Sequence, residues 1–370
     1  MRLRFMRILG MVVKEFQEIA RDSRILRVIF VAPVVQLLAF GYAVSTDIQD
    51  TTTFVVDHDR SQVSREIVDA MTATGYFEVV GYSEYSGDLD RALDNGTAVV
   101  GIEIPVGFAA GLQEGRPVTA QVLLDGTNSN TAMIARGYAE RIIQDYVSRL
   151  ASGPRLPGID LRERAWFNPD LASRNYNVPA VVGSLILLIC LLLTSLAVVR
   201  EREIGTLDQL RVSPLTPGEL IAGKTIPFGL VGLVDLSLVT LVAVLWFEIP
   251  FRGSIFMLFF ASSLYILSAL GIGLLISTVS STLQEAFMSS FLVFMPSLLL
   301  SGFMFPVSSM PDVFQWITYA NPVRHYIEIV RAIFLKGAGL ETFWLQYLLL
   351  AIIGSSLLGI ATWRFKRANT

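Results

Sequence analysis

Gly218-Glu219-Leu220-Ile221-Ala222-Gly223-Lys224-Thr225 fits the pattern G-x-x-x-x-G-K-[ST] letter for letter. At that spacing a loop cradles phosphate when it follows a β-strand and opens a helix. Its backbone N–H groups then converge on the anion and the lysine reaches it. That context is missing here. Pro214 and Pro217 precede the match, no strand-like run leads into it, and an apolar run starts at Ile226. No buried strand ending in Asp follows to hold Mg²⁺. The residues read instead as Lys224 snorkelling to a membrane interface, with Gly223 permitting close helix packing.

Other chemistry-bearing residues are few. Asp235 lies near the middle of an apolar run, where an ionisable group is costly and marks a functional position by default. It could line a pathway, bind a cation or pair across a dimer. Equally, it could be a neutral acid or bond a neighbour such as Ser237. His58 sits in Asp57-His58-Asp59, which reads as an Asp-rich turn. One cysteine, Cys190, and two histidines leave no Cys/His metal cluster and no disulfide within the chain. Neither G-x-S-x-G nor H-E-x-x-H occurs. No catalytic residue and no metal ligand is assigned.

The elements that hold these residues are membrane helices. The 370 residues are 53% apolar and 16% charged, against about 25% charged in soluble proteins. A span needs about 20 apolar residues. Five stretches qualify: 28–45, 178–199, 226–247, 254–278 and 343–363. A sixth, 286–305, is interrupted by Pro296 and Gly302, which membrane helices tolerate where neighbours satisfy the freed backbone. Ahead of the first span, Phe5, Leu9, Val12, Phe16 and Ile19 recur every three or four residues within 1–27. That periodicity predicts an amphipathic helix in the membrane interface rather than a signal peptide. Gly229, Gly232, Gly271 and Gly273 suit close helix packing, and Cys190 suits inert packing.

Lys and Arg orient the chain. Seven precede the first span, four lie in 200–225 and three end the chain, all on one side. Both termini and 200–225 are therefore expected in the cytoplasm, and 46–177 outside. Within 46–177, strand-like runs (54–59, 76–82, 97–105, 117–126) alternate with helix-like ones (61–73, 86–96, 106–114, 129–151). This predicts a compact α/β domain with a parallel or mixed sheet. Its 11 Arg and 19 Asp+Glu give −8, which either attracts cationic substrates or a basic partner or keeps the surface solvated. The fold class is thus an all-α bundle of six transmembrane helices, with an extracytoplasmic α/β domain inserted between helices 1 and 2. The remaining 178–370 carries helices 2–6. The chain's net −3 argues against nucleic acid as a partner.

Two blocks carry a resemblance. Glu201-Arg202-Glu203-Ile204-Gly205-Thr206-Leu207, then Leu210, Ser213-Pro214-Leu215 and Gly223-Lys224, follow the second span. The other runs Ser301-Gly302-Phe303-Met304-Phe305-Pro306, Met310-Pro311, Tyr319-Ala320-Asn321-Pro322, Arg331 and Leu335-Lys336-Gly337. With the layout of interfacial helix, span, large outside domain and five spans, these resemble the permease subunits of type-2 ABC exporters over nearly the whole chain. The nearest subfamily resembles bacterial drug and ion exporters of the inner membrane.

That resemblance implies a translocation path formed by two permease copies, identical or paralogous. It implies separate ATP-binding subunits that hold the ATP and Mg²⁺, so that this chain needs no cofactor and is not itself an enzyme. A periplasmic adaptor protein is a further implied partner. It also implies a coupling helix at 201–212 that contacts the ATPase through Glu201, Arg202, Glu203, Gly205, Thr206, Leu207 and Leu210. The segment 306–337 is Pro-interrupted and expected to be re-entrant from outside, as an outer gate or a structural cap. With Asp235, its residues Asn321, Pro322, Arg324, Glu328 and Arg331 are the candidate path or gate. Glu328 can pair with Arg324 at i−4 or Arg331 at i+3. The rival reading is a transporter driven by an ion gradient without an ATPase. It calls for several intramembrane charges and an inverted repeat, whereas Asp235 stands nearly alone.

Overall fold

A computed structural model describes residues 2–43, 50–127, 129–150, 167, 172–205 and 216–368. The chain divides into two compact units, Thr46–Glu163 and the remainder.

In the first unit, helices and strands alternate as the hydrophobic pattern requires. The order is β1 (Thr51–Asp57), α3 (Gln62–Thr72), β2 (Phe77–Ser83), α4 (Ser86–Asp94), β3 (Val100–Ile104), α5 (Phe108–Gln113), β4 (Gln121–Leu124) and α6 (Ser129–Leu150); α1 and α2 precede them and belong to the other unit. The sheet runs β2-β1-β3-β4, with β1 parallel to β2 and β3 and β4 antiparallel to β3. Long helical crossovers serve the parallel pairs, as parallel strands demand. Val55, Ile67, Val68, Met71, Phe77, Ile102 and Ile104 form its core. The runs expected at 97–105 and 117–126 shorten to five and four residues.

The Asp-rich turn after β1 is spoken for. Asp57 Oδ1 accepts from the amides of Asp59 and Arg60, and Oδ2 from Ser64 Oγ. Asp59 accepts from the amides of Gly107, Phe108 and Ala109 at 2.8, 3.0 and 3.1 Å, capping α5. His58 Nε2 lies 3.1 Å from Glu103. Burial opposes ionisation of Asp59, but the hydrogen bonds from Ser61 and those amides together outweigh it and hold its carboxyl below the ordinary range. A lowered folded-state pKa stabilises above the unfolded pKa, about 4, and the contribution is lost as pH falls through the folded value. In the full chain, hydrogen-exchange protection at 107–109 is therefore expected to drop on acidification below about pH 4. Protection that stays flat into acid would show that the ionised cap is not what orders this turn.

The second unit is helical: α1 (Arg2–Arg21), α2 (Ser23–Ala43), α7 (Ser173–Ile204), α8 (Pro217–Leu245), α9 (Ile255–Val279), α10 (Leu283–Leu299), α11 (Asp312–Thr318), α12 (Pro322–Arg331) and α13 (Leu340–Ala368). Among the described residues, five helices (α2, α7, α8, α9 and α13) are long and apolar enough to cross a membrane. The stretch expected at 286–305 differs: its helix, α10, is 17 residues and stops at Leu299, before a turn in which Gly302 has φ +79°. α7 is the central helix, with Val178–Leu187 buried throughout. α13 carries exposed Trp344 and Trp363, about 28 Å apart at 1.5 Å per residue. That separation matches a hydrocarbon layer of about 30 Å with aromatic belts at both edges.

The first helix packs on the bundle by a face that shares only Ile19 with its periodic apolar set. Phe5, Leu9 and Phe16 are exposed, while Met11, Glu15 and Ile19 are buried. These recur at i, i+4 and i+8, a face disguised in the sequence by a carboxylate at its centre. The exposed apolar face remains free for the membrane interface.

Candidate functional site

The apolar length of α7 continues without a break into Arg200-Glu201-Arg202-Glu203-Ile204 and ends where Gly205 adopts φ +81°, a left-handed turn that favours glycine. Glu201–Ile204 is the last turn of α7, and the rest of the expected 201–212 segment lies beyond the described residues. Thr206, Leu207 and Leu210 lie outside the described residues. α8 then begins with a capping box: Thr216 Oγ1 accepts from the Glu219 amide, and Glu219 Oε2 accepts from the Thr216 amide.

Charges gather at this end of the bundle. Glu201 Oε1 is 3.0 Å from Lys14 Nζ, and its Oε2 is 2.9 Å from Lys224 Nζ. Lys224 also donates to Glu15 Oε1 at 3.1 Å. Lys14 reaches Glu18 at 3.1 Å as well. Glu15, Glu201 and Lys224 are 3%, 7% and 4% exposed, so the pairs sit in a low-dielectric setting where unpaired charge is expensive. Burial pulls the Lys14 ammonium pKa down, but the Glu201 hydrogen bond and nearby carboxylates outweigh it and raise it above the usual lysine range.

This corrects the reading of Lys224 as a snorkelling residue. Its ammonium is buried because two carboxylates, from α1 and α7, meet it there. The adjacent glycine is equally committed. A Cβ on Gly223 would lie 2.6 Å from Met11 Cγ, so only glycine admits α1 so closely. Residues 218–225 are helical, and the Glu219 and Leu220 amides are taken up by Thr216 rather than turned toward a phosphate. Helix packing and ion pairing therefore account for the match to the phosphate-loop pattern.

Arg202 and Glu203 bond elsewhere. Arg202 Nη1 donates to the Ser280 carbonyl at 2.7 Å, at the C-terminus of α9. Glu203 Oε1 accepts from the Leu283 amide at 3.0 Å, at the N-terminus of α10. Each charge has the sign that its helix end prefers.

The second candidate group, Asn321 to Arg331, is a set of ties between segments. Asn321 Oδ1 accepts from the Val323 amide and Pro322 takes the first helical position, so the pair starts α12. Asn321 Nδ2 donates to Ser297 O at 2.6 Å, near the end of α10. Arg324 bonds Thr318 Oγ1 and Gln315 O, and lies 4.1 Å over the Tyr319 ring. Glu328 pairs with Arg324 at 3.4 Å rather than with Arg331, and accepts from Gln346 of α13 at 3.1 Å. Arg331 donates to Tyr176 O, Tyr176 Oη and Gly302 O, with its guanidinium 3.5 Å over the Tyr176 ring. Asn321→Ala is expected to cost about 2 kcal/mol, combining a lost cap with an orphaned carbonyl. Thermal unfolding in detergent micelles measures it, and Asn321→Asp should recover the cap part alone.

Asp235 is not joined to that group. Its side chain is 1% exposed, and neither oxygen accepts a hydrogen bond from the described residues. Ser237, its expected neighbour, donates to Leu233 O instead. The residues missed by sequence reasoning are mostly tyrosines. Tyr265 and Tyr326 stack at 4.0 Å between α9 and α12, with their hydroxyls on Gly183 O and Ser262 Oγ. For Tyr265 the available signal was a tyrosine inside an apolar run, where its hydroxyl must find a partner.

Comparison with known proteins agrees with this architecture. The family model described as "ABC-2 family transporter protein" matches residues 24–364. The probable multidrug ABC transporter permease YbhR of Escherichia coli K12 is 32% identical over 98% of this chain and 99% of its own. The probable multidrug ABC transporter permease YbhS of the same strain is 34% identical over 90% of each chain. The inner membrane transport permease YhhJ is 30% identical over 97% of each. With the family model spanning the membrane bundle and the α/β unit alike, the chain belongs to the ABC-2 transporter family and is a membrane permease.

Proposed function

We propose that this chain is the permease subunit of an ATP-driven exporter in a bacterial inner membrane. Two copies line the path, and separate ATP-binding subunits supply the energy. α10 completes six spans. Both termini and the Glu201 end of α7 face the cytoplasm, and the α/β unit lies outside, where it shapes the exit or meets an adaptor. The substrate is drug-like or otherwise lipophilic, in keeping with the multidrug names of the YbhR and YbhS relatives.

The observation that carries the reading is α7 itself. One 32-residue helix runs from the buried centre of the bundle to a charged tip, so a force applied at the tip is delivered to the core. The region 306–337 then acts as the outer cap that such a motion must disturb, because Asn321 ties it to α10 and Arg331 ties it to α7.

The test is co-purification with an ATP-binding subunit, followed by ATP turnover in lipid vesicles with and without this chain. Association and permease-dependent turnover support the proposal. A chain that binds no ATPase, yet moves solute down an ion gradient, overturns it. Asp235, a buried acid without a hydrogen-bond partner among the described residues, is the observation that favours this second reading.

A further inference from the structure

Three consecutive charged side chains reach three different places. Glu201 meets Lys14 of α1 and Lys224 of α8. Arg202 holds the last turn of α9 through Ser280 O. Glu203 holds the first turn of α10 through the Leu283 amide. The turn 280–282 that joins α9 to α10 is thereby gripped from both ends by neighbouring residues of one helix. None of these bonds points away from the chain. Glu201 is buried, and breaking its ion pairs costs more than a surface contact returns; half-buried Arg202 and exposed Glu203 each already give a hydrogen bond to a helix end of the same chain.

We infer that Glu201, Arg202 and Glu203 are positioning residues that distribute displacement of the α7 tip within the permease, one residue per neighbouring element, rather than contacts that dock the ATP-binding subunit. The inference rests on the permease reading above and refines it. Movement of α7 reaches α1 and α8 through Glu201, α9 through Arg202 and α10 through Glu203. Because the links are separate, they fail separately. Loss of one side chain disconnects one element and leaves the others driven.

The experiment uses the full chain with the ATP-binding subunit that co-purifies with it, in phosphatidylethanolamine–phosphatidylglycerol vesicles. Hydrogen exchange is compared with ATP·Mg²⁺ and with ADP. In the wild type, nucleotide changes exchange both in α1 and at the 280–283 turn. Arg202→Met and Glu203→Gln should each retain the ATP-binding subunit at wild-type stoichiometry, with Arg202→Met losing the nucleotide-dependent change at 280 and Glu203→Gln losing it at 283, while α1 still responds. Glu201→Gln should show the reverse, losing the response in α1. Arg202→Lys, which keeps a cation on Ser280 O, should restore the response at 280. A merely structural role would instead raise exchange in both nucleotide states and would not separate the two sites.

Release of the ATP-binding subunit by Glu203→Gln or Arg202→Met overturns the inference in favour of direct docking. So does a nucleotide response at 280–283 that survives both changes. Should Arg202→Met fail to fold, Glu203→Gln alone decides. A wild-type chain that retains no ATP-binding subunit removes the permease reading itself, an outcome distinct from either.

Discussion

Lys224→Met is expected to destabilise the folded chain by about 3–5 kcal/mol, the cost of removing one partner from a buried ion pair. Lys224 stands between Glu15 and Glu201, 3.1 and 2.9 Å from their oxygens. Without it, two nearly buried carboxylates face one another, with Lys14 close to both. Lys14 cannot replace it fully: its side chain is 41% exposed, it is already shared with Glu18, and it lies 3.6 Å from Glu15. Thermal unfolding in detergent micelles reads the loss. Adding Glu15→Leu to Lys224→Met should recover most of it, because one Glu201–Lys14 pair then remains. Lys14→Ala should cost only about 1 kcal/mol, the scale of a partly exposed pair. A Lys224→Met loss under about 1 kcal/mol would mean that the cluster is open to solvent.

The next largest effect is expected at Gly271. A Cβ there would lie 2.8 Å from Leu358 N and 2.9 Å from Leu357 Cβ, in the backbone of α13. The close approach is mutual, since a Cβ on Gly354 of α13 would meet Ser268 Oγ at 3.0 Å and Leu264 O at 3.1 Å in α9. Small residues at both faces let two membrane helices touch along their backbones, where dispersion is the main attraction. Gly271→Leu must push the helices apart along that seam, and overpacking of this kind costs about 3 kcal/mol or more. Gly271→Ala should cost about 1–2 kcal/mol. Gly359 lies in the same helix as Gly354 with nothing within 4 Å of its Cβ position, and Gly359→Ala should be neutral or slightly stabilising. Equal effects at 271 and 359 would show that helix propensity, not contact, governs this seam.

Much of this could be read from periodicity, which is a local property. The α/β alternation over 51–150, the apolar runs of α2, α7, α8, α9 and α13, and the charged tip of α7 all follow from residues near one another in the sequence. What could not be read is pairing at a distance. Lys224 looked like an interfacial lysine because its partner Glu15 is 209 positions away, and Lys14 meets Glu201 across 187. Similarly, Arg331 finds Tyr176 across 155 positions. The packed face of α1 was hidden for the same reason: Glu15 is polar by type and becomes a core residue only when Lys224 arrives. α10 ends early at the turn 300–302, where Gly302, a break already visible in the sequence, takes a left-handed conformation.

That pairing has a consequence for biogenesis. Ribosomes add roughly 5–20 residues per second, so Glu15 emerges roughly 10–40 seconds before the lysine that neutralises it. During that interval α1 has no buried seat to occupy, and its exposed Phe5, Leu9 and Phe16 leave it resting on the lipid surface with its carboxylate in water. The α1 helix therefore cannot be locked into place until α8 has been made. Assembly of the bundle closes on its own beginning, and a chain truncated before residue 224 should leave that beginning accessible to protease.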